Sequence, residues 1–194
     1  MTSVDDIPDR VDRVRRGYEA GLLRDRASRV SQLTQLRRLL LDEEDRLVEA
    51  LRTDLGKPPF EAYAADLAFT VGEIDYALKN LNQWLKPQRV KLPMTLRPGT
   101  GRLHPEPLGT VCVIAPWNYP IQLLFGPLVP ALAAGNTAVL KPSEVTPSVS
   151  ALIEELVPRY FSASTVAVVT GAVDETTALL EQRFDHIFYT GNGK

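Results

Sequence analysis

Leu-Gly-Thr-Val-Cys-Val-Ile-Ala-Pro-Trp-Asn-Tyr-Pro at residues 108–120 and Gly-Asn-Thr-Ala-Val-Leu-Lys-Pro-Ser-Glu at residues 135–144 decide the fold of this chain. Each stretch is a run of small and β-branched apolar residues that ends in a polar turn, which is the pattern of a buried strand. Between them lies an uncharged segment long enough for one buried helix. A strand, a helix and a second strand in this order predict a parallel sheet with a right-handed crossover.

The alternation of apolar strands and amphipathic helices continues along the rest of the C-terminal half. Residues 92–194 hold only 6 of the 22 Lys/Arg and 8 of the 24 Asp/Glu residues, as strands buried on both faces require. Strands are predicted at 110–115, 137–140, 166–169 and 186–189, and helices at 119–134, 147–161 and 174–182. The predicted fold class is α/β, with a Rossmann-like parallel sheet that has helices on both faces.

The first 91 residues are highly charged and helical in pattern. They hold 16 basic and 16 acidic residues, and their apolar residues recur at helical spacing. The spacing predicts a short helix over 4–20, one long helix from Val30 to about Gly56, and another helix over 63–85. Gly56 can take the left-handed conformation that commonly ends a helix.

Five prolines between residues 87 and 107 separate the two halves. Proline interrupts helices and central strands, so the segment is predicted to be a connector with short extended pieces and a hairpin near Pro98. The predicted organisation is an N-terminal helical region at 1–91, a connector at 92–107 and a partial dinucleotide-binding, Rossmann-like domain at 108–194.

Composition argues against several functional classes. A net charge of −2 gives no electrostatic basis for binding nucleic acid. The single cysteine excludes an internal disulfide, and the acidic N-terminus lacks the apolar core of a signal peptide, so a cytoplasmic location is expected. The 34 uncharged residues from 107 to 140 include five prolines. A buried strand–helix–strand unit explains them better than a membrane span.

Asn118 stands in a turn directly after the first predicted strand, between Pro116 and Pro120. The two prolines fix the backbone on both sides. Ligands of open α/β sheets bind at the carboxyl ends of the strands, so the Asn118 amide can donate to a ligand oxygen there. Asparagine is also a common turn former, and a purely structural role is the alternative.

Lys141 and Glu144 end the second strand and precede the next predicted helix. Both side chains can form hydrogen bonds with ribose hydroxyls. The alternative is that Ser143, Glu144 and Thr146 simply start the helix before Pro147. Spacing by itself does not separate these two interpretations.

Gly191-Asn192-Gly193-Lys194 follows the last predicted strand. A glycine turn in this position lets backbone N–H groups approach a pyrophosphate, although Gly-x-Gly is a weak motif. Cys112 lies in the middle of an apolar strand, so we expect a buried core residue and not a reactive thiolate. His104 and His186 have no metal-ligand spacing, and no metal site is predicted.

Together these segments resemble the aldehyde dehydrogenase superfamily, in particular the shorter class 3-like branch in its bacterial form. Ala-Pro-Trp-Asn-Tyr-Pro is similar to the family's oxyanion turn, and residues 135–144 are similar to its adenosine-ribose strand. Residues 181–192, Glu-Gln-Arg-Phe-Asp-His-Ile-Phe-Tyr-Thr-Gly-Asn, resemble its pyrophosphate turn. The resemblance extends upstream through Asp54-Leu55-Gly56-Lys57.

The resemblance implies an oxidation of aldehydes to carboxylic acids through a cysteine thioester, with NAD or NADP as cofactor. It assigns Asn118 to the stabilisation of the oxyanion. It assigns cofactor binding to seven residues: Ile114, Trp117, Lys141, Glu144, Gly171, Gly191 and Asn192. It also implies a small-molecule aldehyde substrate and a homodimer, without a nucleic acid or membrane partner.

The family's nucleophilic cysteine and its Leu-Glu-Leu-Gly-Gly-Lys segment, which carries the general base, do not occur in these 194 residues. The resemblance therefore implies a truncated, N-terminal fragment that is inactive by itself. Two alternatives stay open at this point. One is a non-catalytic dinucleotide-binding or interaction stub, and the other is an acylating semialdehyde dehydrogenase.

Overall fold

The first half of the chain is helical. In the computed structural model, which describes residues 1–192, a single 3₁₀ turn at Val4–Asp6 precedes the first helix. The helices are α1 Ile7–Glu19, α2 Arg26–Asp42, α3 Glu44–Leu55, α4 Pro59–Glu61 and α5 Phe69–Trp84. A π-helical segment, Ala62–Ala68, joins α4 to α5. The predicted helices at 4–20 and 63–85 are thereby confirmed.

The single long helix predicted from Val30 to Gly56 is wrong. Glu43 has φ −110° and ψ 16°, outside the helical region, and separates α2 from α3. Leu40 and Leu47 are both fully buried and lie about two turns apart, so the apolar spacing could not reveal the break. The predicted end is correct, since Gly56 caps α3 in the left-handed conformation with φ 66°.

An antiparallel hairpin connects the two halves. Its strands are β1 Gln88–Val90 and β2 Gly101–Leu103, with a 3₁₀ turn at Met94–Leu96 between them. The hairpin predicted near Pro98 is therefore confirmed. The remaining strands are β3 Thr110–Ile114, β4 Thr137–Lys141, β5 Val166–Val168 and β6 His186–Tyr189.

The last four strands form one parallel sheet in the order β5-β4-β3-β6. The helices α6 Gln122–Ala134, α7 Pro147–Tyr160 and α8 Val173–Leu180 connect them. The α/β class with a parallel sheet is confirmed. Because β3 and β4 are the central strands, their carboxyl ends meet in the middle of one sheet edge.

Helices cover both faces of the sheet at β3, β4 and β5, whose residues are almost all buried. The edge strand β6 is exposed along its whole length, so the expectation of burial on both faces is wrong for this strand. On one face, Val111 and Val113 join a large core with α6, α7 and the helices α2, α3 and α5. On the other face, Cys112 and Val139 pack against α1 and Leu179 of α8. This large core crosses from the N-terminal helices to the sheet, and the division at 91 and 107 into separate units remains a prediction.

The uncharged segment between β3 and β4 is the buried helix α6. It contains Pro127 and Pro130, and its Leu124, Phe125 and Leu128 are fully buried. Within residues 1–192, no helix combines the length and the apolar character that a bilayer crossing demands.

Gly135 should be intolerant of a side chain. It ends α6 with φ 94°, and a Cβ there would lie 2.7 Å from the Arg29 guanidinium. That buried guanidinium donates to the carbonyl oxygens of Leu23 at 2.9 Å and Ala133 at 3.3 Å. Gly135→Ala is expected to lower the free energy of unfolding by about 1–2 kcal/mol or more, since left-handed backbone strain and a clash combine.

Gly72→Ala is the matched control for this substitution. Gly72 lies inside α5, and a Cβ there meets nothing within 4 Å. This variant should raise the free energy of unfolding by about 0.5–1 kcal/mol, because alanine favours the helix. Urea denaturation of both variants measures the difference, and equal midpoints would contradict the prediction.

Candidate functional site

An open groove of about 520 Å³ lies at the carboxyl ends of β3, β4 and β6. One wall is formed by Ala172, Val173, Thr176 and Thr177 at the start of α8. Six residues that the sequence indicated as cofactor contacts line it: Ile114, Trp117, Lys141, Glu144, Gly191 and Asn192. The structure therefore brings these six together, and their role as contacts remains a prediction.

Lys141 places a buried cation at the floor of the groove. Its side chain is only 2 % exposed, and its Nζ donates to the carbonyl oxygen of Pro142 at 2.9 Å. The Glu144 carboxylate lies 3.6 Å from the same nitrogen. Burial lowers the pKa of Lys141, and the negative charge of Glu144 opposes that shift. Since an ammonium has three N–H donors, one remains for a ligand hydroxyl after these two contacts.

A residue from another element caps the helix that follows Lys141. Asp54 of α3 accepts hydrogen bonds from the backbone N–H groups of Ser148 at 3.1 Å and Val149 at 2.9 Å, in the first turn of α7. Ser143 accepts from Val145 N–H with its hydroxyl at 3.2 Å. The start of α7 therefore does not require Glu144 as a cap. The half-exposed Glu144 carboxylate lies in the groove beside Lys141.

Asn118 lies exposed in the loop between β3 and α6, next to the groove residue Trp117. Its side chain makes no hydrogen bond within residues 1–192. The loop begins where Ala115 N–H donates to the carbonyl oxygen of Lys141 at 3.1 Å, which joins the ends of β3 and β4. Asn118 therefore lies near the carboxyl ends of the strands and outside the apolar core, and no described residue forms a hydrogen bond with its carboxamide.

Gly171 directly precedes the groove residue Ala172 but does not itself line the groove. Its φ is 143°, and the Glu175 carboxylate fills the space that a Cβ would need. Glu175 accepts a hydrogen bond from Ala172 N–H at 2.7 Å and so caps α8. Backbone N–H groups at this helix end lower the pKa of Glu175, and Lys141 contributes to the same shift. Packing against Glu175 thus explains why a residue without a Cβ stands at position 171. A contact between Gly171 and the cofactor remains a prediction.

The turn after β6 is closed by a tyrosine. The Tyr189 hydroxyl donates to the carbonyl oxygen of Asn192 at 3.3 Å and would clash with any Cβ at Gly191. The absence of a side chain at Gly191 lets the ring fold over this turn. The remaining part of the predicted glycine turn, Gly193 and Lys194, lies outside the described residues.

Cys112 is buried in β3, and burial raises the pKa of its thiol to about 12. A thiol with that pKa is a poor nucleophile near neutral pH. The interpretation as a core residue therefore agrees with the structure. In the described part of the chain, no three His, Cys, Asp or Glu side chains are grouped as metal ligands.

The sequence interpretation missed the buried pair Lys57 and Asp66, which lies behind the Asn118 loop. Lys57 Nζ is 2.6 Å from Asp66 Oδ2. A signal existed in the sequence, because Ala62, Asp66, Thr70 and Ile74 recur every four residues and all are fully buried. A carboxylate in an otherwise buried helical row marks a position with a specific partner.

Comparison with known proteins gives one family. The model of the aldehyde dehydrogenase family matches residues 3–194. An aldehyde dehydrogenase of Craterostigma plantagineum is 46% identical over 184 residues, which are 95% of this chain and 38% of that protein. The rat aldehyde dehydrogenase family 3 member B1 is 41% identical over 189 residues, 97% of this chain and 40% of that protein.

The fold matches a solved structure described as a substrate-bound state of Staphylococcus aureus AldH. The TM-score is 0.92 at 38% sequence identity, over 97% of this chain and 41% of that one. The chain therefore spans about two fifths of the length of the relatives that it matches.

Cys112 should resist thiol reagents while the chain is folded. With a pKa of about 12, only about one thiol in ten thousand is ionised at pH 8. A chromogenic disulfide reagent at pH 8 is expected to label the folded chain far more slowly than the chain in guanidinium. Cys112→Ala gives the background signal. Complete labelling of the folded chain at the rate of the denatured chain would contradict the assignment.

Proposed function

The chain belongs to the aldehyde dehydrogenase family, and from this premise we propose that it forms the cofactor-binding and oxyanion-stabilising part of an enzyme that oxidises aldehydes to carboxylic acids. The cofactor is NAD or NADP, bound by a Rossmann-like sheet. The observation that carries the proposal is the groove at the carboxyl ends of β3 and β4, where Lys141 and Glu144 meet. Such edges are where open α/β sheets bind nucleotides.

The residues of the groove offer hydrogen-bonding groups of the kind that a nucleotide requires. Lys141 offers an N–H donor and Glu144 a carboxylate acceptor, which is the pair that vicinal ribose hydroxyls require. Trp117 presents a half-exposed ring at one side of the groove. The backbone at Gly191 can approach a phosphate closely. A cofactor held by these residues would supply the hydride acceptor that the oxidation of an aldehyde requires.

Asn118 is the residue of this chain that acts on the reacting oxygen in the proposal. Attack by a cysteine thiolate converts the aldehyde oxygen into an anion, and a carboxamide N–H that is already in place can stabilise this charge. Cys112 is not that nucleophile, because it is buried in β3. These 194 residues contain no other cysteine, so we propose that they bind the cofactor but do not oxidise aldehyde by themselves.

Glu144 makes NAD the favoured cofactor in this proposal. A 2′-phosphate on the adenosine ribose would meet the Glu144 carboxylate, a like charge, although Lys141 partly offsets it. The proposal also includes a cytoplasmic homodimer as the complete enzyme. The exposed apolar side chains Val90, Leu96 and Leu103 of the hairpin support an association surface.

Calorimetric titration of the chain with NAD and NADP tests the cofactor proposal. Wild type is expected to bind NAD more tightly, and Glu144→Gln should shift the ratio of dissociation constants towards NADP by about tenfold. Glu73→Gln, an equal charge change on α5, should leave the ratio unchanged. Absence of binding to both nucleotides would contradict the proposal. Aldehyde-dependent NADH formation by the 194 residues would contradict the expected inactivity.

Asn118→Ala tests the oxyanion role in an enzyme that joins this chain to the remaining C-terminal part of Staphylococcus aureus AldH, here called the joined enzyme. The substitution is expected to lower kcat by about two to three orders of magnitude, the usual loss for one such donor. The KM for NAD should stay within twofold. Asn82→Ala, an exposed asparagine on α5, is the matched control. An unchanged kcat with rate-limiting chemistry would remove Asn118 from the site.

A further inference from the structure

The loop that carries Asn118 is anchored by a buried carboxylate from the N-terminal helices. Asp66 is fully buried, and its Oδ1 accepts from the backbone N–H groups of Ile121 at 3.3 Å and Gln122 at 3.2 Å. These two N–H groups are the first beyond Pro120, where the loop enters α6. The carboxylate therefore holds the C-terminal end of the loop.

Lys57 holds the same loop at a second point. Its Nζ donates to Asp66 Oδ2 at 2.6 Å and lies 4.0 Å from the centroid of the Tyr119 ring. A cation over an aromatic face is attracted to it, more strongly where water is excluded, and Lys57 is itself buried. Tyr119 is the residue directly after Asn118. The ion pair therefore contacts Tyr119, Ile121 and Gln122, which are the three residues after Asn118 apart from Pro120.

We propose that Asp66 and Lys57 are positioning residues for the Asn118 carboxamide, an inference that rests on the oxyanion role proposed above for Asn118. Neither residue lines the groove. They act by fixing the backbone at Tyr119, Ile121 and Gln122, so that the stiff segment between Pro116 and Pro120 has one orientation. A donor that is fixed before reaction needs no reorganisation when charge develops.

The charge state of the pair suits this role. A lone buried carboxylate behind the loop would oppose negative charge on the substrate oxygen, and Lys57 neutralises it at close range. A helix start can be capped by a neutral serine or asparagine, and a buried ion pair is a costly way to gain stability. The buried ion pair provides an anchor that is rigid and electrically neutral next to a developing anion, which explains its presence in place of a simple cap.

The local helix geometry is specialised at the same place. Asp66 belongs to the π-helical segment Ala62–Ala68, and its own carbonyl oxygen accepts from the Thr70 hydroxyl at 2.7 Å. A π-helical turn inserts an extra residue and occurs frequently at functional sites. Here it lies where the Asp66 side chain reaches across to α6, 55 residues further along the chain.

A double-mutant cycle in the joined enzyme tests the inference. Asp66→Asn keeps an accepting oxygen but loses the ion pair, and Lys57→Met/Asp66→Leu removes both charges at once, so that no buried charge is left unpaired. Each is expected to lower kcat by about 10- to 100-fold, the scale of an ångström-size misplacement. The KM for NAD should change less than twofold. Asp25→Ala, which removes an exposed carboxylate cap from α2, should leave kcat unchanged.

The decisive comparison is between the two Asn118 backgrounds. If the pair acts through Asn118, the Asp66 variants should have no further effect on kcat, within twofold, once Asn118→Ala is present. Equal losses in both backgrounds would overturn the inference and leave the role of Asn118 intact. No loss of kcat in Asn118→Ala itself would refute the proposed function, and the inference with it.

Hydrogen exchange of the 194-residue chain supplies a second measurement that needs no activity. In Lys57→Met/Asp66→Leu the Ile121 and Gln122 amides should exchange at least tenfold faster than in wild type, because they lose their acceptor. The amides inside α5 and α7 should keep their wild-type rates. Unchanged exchange at Ile121 and Gln122 would overturn the inference, and so would a uniform increase along the chain.

Discussion

Two carboxylates from the N-terminal helical half determine where the candidate site can be. Asp66 binds the first N–H groups of α6, and Asp54 binds those of α7. Each of these helices follows a strand and a loop that carry candidate site residues, Asn118 before α6 and Lys141 and Glu144 before α7. Carboxylates are favoured at helix N-termini both as acceptors and as charges. The position of the groove residues therefore depends on helices that do not touch the groove.

The same arrangement explains how one short segment serves both a helix start and a candidate ligand site. The Lys-Pro-Ser-Glu segment allowed a capping interpretation and a ribose-binding interpretation, and the structure makes them compatible. Ser143 and Asp54 satisfy the backbone at the start of α7, so Glu144 is available to face Lys141. On the opposite wall, Glu175 satisfies the start of α8 in the same way. Lys141 consequently sits among carboxylates, which offsets part of the cost of its burial.

Much of the fold could be predicted because β3, β4 and β5 are buried runs of mostly apolar residues. β3 and β4 differ from their predicted bounds by one residue each, and the residues at their carboxyl ends were correctly expected to lie at one edge. The break at Glu43 was missed, since Leu40 and Leu47 keep the helical spacing across it. The contacts of Asp54 with Ser148, of Asp66 with Ile121 and of Arg29 with Ala133 could not be predicted, because these partners lie 94, 55 and 104 residues away along the chain. Patterns of neighbouring residues do not indicate which distant residues come into contact.

The residues that line the groove and the residues that support it lie in different halves of the chain, so a substitution far from the groove can still affect it. The groove is formed by residues from Ile114 onwards, whereas its supports at Asp54, Lys57 and Asp66 lie in and next to the helices α3 to α5. A substitution at one of these supports changes none of the residues that line the groove, but it should still alter the geometry at the carboxyl ends of the strands. Because Asp66 supports the loop of the proposed oxyanion donor and Asp54 supports the strand end with the proposed ribose contacts, the two sites should separate kinetically. Disturbance at Asp66 would appear in kcat, and disturbance at Asp54 would appear first in the affinity for the nucleotide.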